Sequence, residues 1–192
     1  MSTQSPPAGR AARRATARRA SAVIGAGLIV GLVSGVALGV VWWQLAPRVP
    51  LVIQPGASYP QGYQPEGYLA ADAAFGLLGL VAGIAITIGL ANMRRDHLFS
   101  VLVAGLLSGA IGTAAMWFVG TRLGSVDIEG LSATTTADVV VEAPLRVSLP
   151  SMFLMWALAS AVVVTVLALG DWIGEARSAK RALRARDGGE AA

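Results

Sequence analysis

Four stretches of roughly twenty or more mainly apolar residues, none with an acidic or basic side chain well inside it, constrain this chain more than any other feature. A bilayer core about 30 Å thick needs about 20 residues of helix at about 1.5 Å rise each. Residues 22–45, 70–91, 98–119 and 149–172 each meet that length, and Asp72 and Asp171 sit only at the ends of the second and fourth. Hydrophobic residues make up 55% of the chain and charged residues 14%. Soluble domains carry about a quarter charged residues, so lipid is the expected main solvent. The expected fold is an all-α membrane protein, a bundle of four transmembrane helices.

The basic residues give that bundle an orientation. Arg10, Arg13, Arg14, Arg18 and Arg19 precede the first span, Arg94 and Arg95 lie in the 92–97 turn, and Arg177, Lys180, Arg181, Arg184 and Arg186 follow the fourth. The opposite side holds only Arg48, Arg122 and Arg146. Cytoplasmic flanks carry the excess of Lys and Arg, so both ends are expected on the cytoplasmic side of a plasma membrane. The net charge of +4 is concentrated beside apolar runs, so anionic headgroups, and not nucleic acid, are the expected partner of the tails. The first span is too long for a signal-peptide core and closes on Trp42-Trp43, so it reads as a retained span. The arginine pairs at 13–14 and 18–19 are taken as positive-inside charge and not as a twin-arginine export signal. Residues 1–21 are expected to be a disordered basic tail. In the basic tail at 173–192, residues 175–186 are expected to prolong the last helix and those after Asp187 to fray.

Packing between such helices depends on close backbone approach, because lipid is as apolar as leucine. Gly27, Gly31, Gly35 and Gly39 recur every four residues and line one face of the first span. The second offers Gly76, Gly79 and Gly83, and the third Gly105, Ser108, Gly109 and Gly112. The fourth has only Ala157, Ser160 and Ala161 among Val and Leu. The first and third spans are the best expected pair, within one bundle or as a face for a second copy or another protein. Trp42, Trp43, Trp117 and Trp172 fall near span ends and are expected to anchor at the membrane interface.

Two long loops, 46–69 and 120–148, face the outside in this scheme. The first carries Tyr59, Tyr63 and Tyr68 among prolines and glycines, placing aromatics against headgroups or a binding partner. Residues 126–129, 138–142 and 145–149 alternate or are β-branched, which predicts two or three short antiparallel strands joined by residues 50–54. The bundle is therefore expected to wear a small extracytoplasmic β-like cap. Asp127, Glu129, Asp138 and Glu142 match no calcium loop and read as a solvated acidic face. Asp72 is the possible functional acid: it either caps its own helix in the first turn or faces the bundle, paired with Arg48 or Arg122. Asp96 is expected to cap the third span, in the turn that holds His97.

Little chemistry is expected. The absence of cysteine excludes disulfides, thiol catalysis and thiolate metal sites, and a single histidine, His97, excludes motifs needing two. No nucleophile with a paired base, phosphate loop or metal triad is present, so neither enzymatic activity nor a cofactor is expected. Charged mid-span residues and broken helices, the usual marks of coupled transporters, are also missing.

Short signatures along residues 22–172 resemble a family of four-span membrane proteins, of unknown function, from high-GC Gram-positive (actinobacterial) bacteria. They are Trp43-Gln44-Leu45-Ala46-Pro47, Ala71-Asp72 with Phe75, Arg94-Arg95, Trp117 with Gly120 and Gly124, and Pro144-Leu145. The resemblance implies the topology and a plasma-membrane location, and it brings no activity or functional residue. The expected function is a non-catalytic structural or accessory subunit binding another membrane or envelope protein. The alternative is a homo-oligomeric transporter or channel for a small solute or lipid, for which Ser108, Thr113 and Thr165 are the scattered polar candidates.

Overall fold

A computed structural model describes residues 8–62, 65–93 and 97–189, with side chains for 21–62, 66–93 and 97–181. Four long helices pack side by side, and a small sheet caps one end. The helices are α1 (Ala8–Leu45), α2 (Pro65–Met93), α3 (Leu98–Leu123) and α5 (Met155–Gly189), with a short α4 (Ile128–Thr134) in the cap. All four long helices are long and apolar enough to cross a membrane.

Local chemistry sets their ends. The chain leaves α1 just before Pro47, and the residue preceding a proline is disfavoured in helix. At the other end α1 reaches back to Ala8, which corrects the expected disorder over 8–21. Ala and Arg are among the strongest helix formers, and no Gly or Pro interrupts them between Ala11 and Ile24. Pro65 opens α2 five residues ahead of the expected start, at a position where a missing N–H costs nothing. Gly124 closes α3, its N–H donating to the Gly120 carbonyl at 2.9 Å. Pro150 opens a 3-10 turn (Pro150–Leu154) that leads into α5, which continues without a break through the basic segment. Asp96 lies outside the described residues. His97, ahead of α3, makes no side-chain capping bond.

The most extensive helix contact joins α1 to α3, followed by α2 with α5 and α3 with α5. Trp156 of α5 is buried at the middle of this arrangement. One apolar cluster, with Val23, Leu90, Val101 and Val164, lies toward the end away from the cap. A second, with Trp42, Phe75, Met116 and Leu145, lies beneath the cap.

The cap is a three-stranded antiparallel sheet in the order β2-β1-β3, from β1 (Pro50–Gln54), β2 (Ala57–Pro60) and β3 (Val139–Glu142). Residues 50–54 thus form the central strand. Pro50 is tolerated there because it is the strand's first residue. The β1–β2 hairpin turns on Pro55-Gly56, with Gly56 at φ +77°, the sequence and sign a type II turn needs. Leu51, Val52 and Ile53 of β1 pair with Val141, Val140 and Val139 of β3. Leu51 and Ile53 are buried on one face.

Two expected strands are corrected. Residues 126–129 do not form a ladder: Asp127 accepts the Gly130 N–H at 2.9 Å and caps α4, so a local side-chain bond starts a helix where alternation suggested a strand. Residues 145–149 pair with no strand. Their backbone is held individually, the Leu145 N–H by the Gly124 carbonyl at 3.2 Å and the Ser148 and Leu149 N–H groups by Asp72.

Candidate functional site

Beneath the cap, Asp72 holds the chain that enters the fourth helix. It sits two turns inside α2 and is 1% exposed. Its Oδ1 accepts the Ser148 N–H at 3.0 Å, and its Oδ2 accepts the Leu149 N–H at 2.8 Å. These donors precede Pro150, where a new helix leaves N–H groups without intrahelical partners. The carboxylate therefore caps the helix across from it, which corrects the expectation that it caps its own first turn. The expected arginine partners are engaged elsewhere. Arg48 donates to Glu142 at 2.6 Å and to the Trp43 carbonyl at 2.6 Å, while the Arg122 guanidinium lies 5.0 Å over the Phe118 ring.

Trp42 stands beside this latch. It is fully buried, donates Nε1–H to the Ala71 carbonyl at 2.9 Å and meets Phe75 edge-on at 4.9 Å. This corrects its expected role as an interface anchor. Phe75 leads on to Phe153 at 5.2 Å, and Phe153 to Trp117 at 6.2 Å. Trp43 is half-buried under Arg48, whereas Trp117 and Trp172 are exposed on the helix surface.

The glycine faces build the rest of the bundle. Gly27, Gly31, Gly35 and Gly39 of α1 lie against Ala104, Ser108, Gly112 and Met116 of α3, so the two helices run parallel in four-residue steps. A methyl at Gly31 would stand 2.6 Å from the Ser108 carbonyl oxygen, and one at Gly35 would run into the Gly112 backbone. Gly79 and Gly83 of α2 and Gly109 of α3 face Trp156, and Gly105 faces Ser160 and Thr87. Thr87 donates to Ser160 at 2.9 Å, and Ser160 to the Trp156 carbonyl at 3.1 Å. Ser108 and Thr113 are buried, and Thr165 is exposed with its hydroxyl on the Ala161 carbonyl.

Trp156 is the residue that sequence reasoning missed. Its ring fills notches left by Gly83, Gly109 and Gly112. The available signal was a tryptophan set inside the fourth span, away from either interface, opposite two glycine-rich spans.

The acids of the cap do not gather. Asp127 caps α4, Asp138 accepts from Gln54 at 3.1 Å, Glu142 holds Arg48, and no group of three His, Asp or Glu forms among the described residues. Tyr59 is exposed, Tyr68 lies under Arg146 at 5.4 Å, and Tyr63 lies outside the described residues. A shallow cleft between the sheet and the start of α2 is lined by Leu51, Ser58, Tyr68, Pro144 and Arg146, among others. The outer edge of β3 carries Val139 and Val140, 41% and 58% exposed.

No family model, curated protein or solved structure matches this chain. Asp72 accepts from two backbone donors, the Arg48–Glu142 pair is a surface bridge, and Trp156 packs against glycines. What the described residues offer is a helical platform that carries a small sheet whose β3 strand lies at an edge.

Proposed function

We propose that this chain is a non-catalytic, multi-pass protein of the bacterial plasma membrane, with both ends cytoplasmic, that binds another membrane or envelope protein through its cap. The observation that carries the reading is the edge of β3. Strand edges present unpaired N–H and C=O groups and are normally blunted by charge, proline or a covering element. Here Val139-Val140-Val141 forms an edge strand, with Val139 and Val140 exposed. An extended segment of a partner can add to such an edge by backbone pairing, with alternate side chains setting specificity. The platform beneath supports the same reading, because Asp72 and the Arg48–Glu142 pair tie the cap to α2, α1 and the start of α5. The bias of basic residues supports the orientation. The resemblance to the actinobacterial four-span family belongs to the same proposal.

The test is affinity purification of the tagged chain from its native membrane in mild detergent, beside a Val140→Lys variant, with mass spectrometry and mass photometry. The proposal expects a stoichiometric heterologous partner that is lost with V140K. A lone homo-oligomer, or a partner retained equally by the variant, overturns it and turns attention to flux across the membrane.

A further inference from the structure

The close approach of α1 and α3 has a second consequence on the surface. Because glycines let the two backbones meet, the larger side chains of both helices are displaced to the flanks of the seam. Between them runs an apolar groove, floored by Ala114 and Ala115 and walled by Leu32, Val36, Trp117 and Phe118. From Ile111 at its lower end to Arg122 above it, α3 rises about 16 Å, about half the thickness of a bilayer core. The lining itself covers about 12 Å of that rise, from Ile111 to Val119, so groove and Arg122 together span about one leaflet.

Its mouth is cationic. Arg122 is exposed one turn above Phe118, and its guanidinium lies over that ring at 5.0 Å. Arg48 is neutralised by Glu142, but Arg122 has no carboxylate within ion-pair distance among the described residues. The Trp117 indole borders the same mouth, where aromatic residues typically meet headgroups.

We propose that this groove holds one anionic phospholipid of the cap-side leaflet, an acyl chain lying along Ala114 and Ala115 and the phosphate on Arg122. The inference rests on the membrane-spanning reading above and adds a ligand to it. The apolar length accommodates a chain one leaflet long, and the unneutralised guanidinium selects charge at the level where the headgroup sits. A neutral lipid would fill the groove without using Arg122, and a second copy of α1–α3 would bring another uncompensated cation to the same mouth.

The full-length protein, purified in detergent, is mixed with equal amounts of phosphatidylglycerol and phosphatidylcholine of matched chains, and retained lipid is read by native mass spectrometry. The wild type is expected to keep one phosphatidylglycerol with about fivefold preference, the scale of one arginine at an anionic surface. Arg122→Gln should bring that preference close to parity. Arg146→Gln, with the same change in net charge, should leave it intact. Ala114→Leu, which fills the floor from the exposed side, should lose the retained lipid of either headgroup. Equal losses in R122Q and R146Q, or retention in A114L, overturn the site, as does A114L dissociating a dimer and releasing no lipid. If A114L lowers thermal stability, the comparison of R122Q with R146Q decides alone. Alkaline carbonate extraction separates the two readings. A chain that stays in the pellet without lipid preference loses only this site, whereas one released to the supernatant loses the membrane reading itself.

Discussion

Asp72 and Trp156 show how single residues hold this molecule at points where its sequence looks unremarkable. An acid near a span end invites a reading as a coupling site, yet this carboxylate is occupied by the N–H groups of Ser148 and Leu149. These bonds are part-buried and charge-assisted, a kind whose net contribution is about 1.5–3 kcal/mol each at most. Asp72→Ala is accordingly expected to lower thermal stability in detergent and to speed amide exchange at 148 and 149. Asp72→Asn keeps one acceptor oxygen and should lose less. Wild-type exchange at those two amides in the alanine variant would contradict the latch. Trp156 makes a different demand, since its Nε1 has no acceptor among the described residues and its contribution is volume. Trp156→Ala should cost about 3–5 kcal/mol by opening a cavity against three glycines, and Trp156→Phe distinctly less. Chemical unfolding of the two variants ranks them, and equal losses would point to a hydrogen bond in place of packing. The neighbouring pair Trp42 and Trp43 marks a limit of reading at this scale. Adjacent residues on a helix point about 100° apart, so one of the two turns inward, and only the neighbours Ala71 and Phe75 decide which.

At the scale of elements, spacing was legible wherever it is set by one helix alone. Glycines four apart mark a close-packing face, and the α1 ladder lies on the backbone of α3. The consequences differ position by position in a way the spacing does not reveal. An added methyl meets backbone at Gly31, Gly35 and Gly39, makes a tight contact at 3.1 Å at Gly27, and meets nothing within 4 Å at Gly25. Alanine scanning should follow that order: Gly35→Ala among the most damaging, Gly27→Ala intermediate and Gly25→Ala neutral or slightly stabilising through helix propensity. Melting temperatures of the five variants check it, and a flat series would mean that α1 and α3 do not pack through this face. The cap was less legible because its alternation competes with local chemistry. Val126-Asp127-Ile128-Glu129 has a strand's period, but Asp127 reaches the Gly130 N–H and a helix starts instead. Residues 57–60 carry no strand pattern and are not expected to pair, whereas residues 50–54 and 138–142 are expected in one sheet and meet there as β1 and β3. That pairing is a tertiary outcome of closing two loops over the same end of the bundle.

For the whole molecule, the decisive question is how the bundle sits in its solvent, and the charge pattern gives a definite expectation. Twelve of the fifteen basic residues precede the first span, join the second to the third or follow the fourth, and three lie on the cap side. Translocating a basic segment against the positive-inside bias is unfavourable, and the three inner segments would all have to cross if the chain were inverted. The cap imposes the complementary requirement, because its sheet draws strands from both long loops, which must therefore lie on one side. The chain contains no cysteine, so single cysteines introduced into it report without background. Ala57→Cys, in the β2 hairpin, is expected to react with a membrane-impermeant maleimide on intact cells. Ser178→Cys, on the exposed surface of α5 beyond the fourth span, should react only after the membrane is opened. The inverse pattern would reverse the orientation and place the free edge of β3 in the cytoplasm, where a partner would have to be sought among cytoplasmic proteins. Labelling of both positions on intact cells would break the four-span topology altogether, since cap and basic helix are then on the same side.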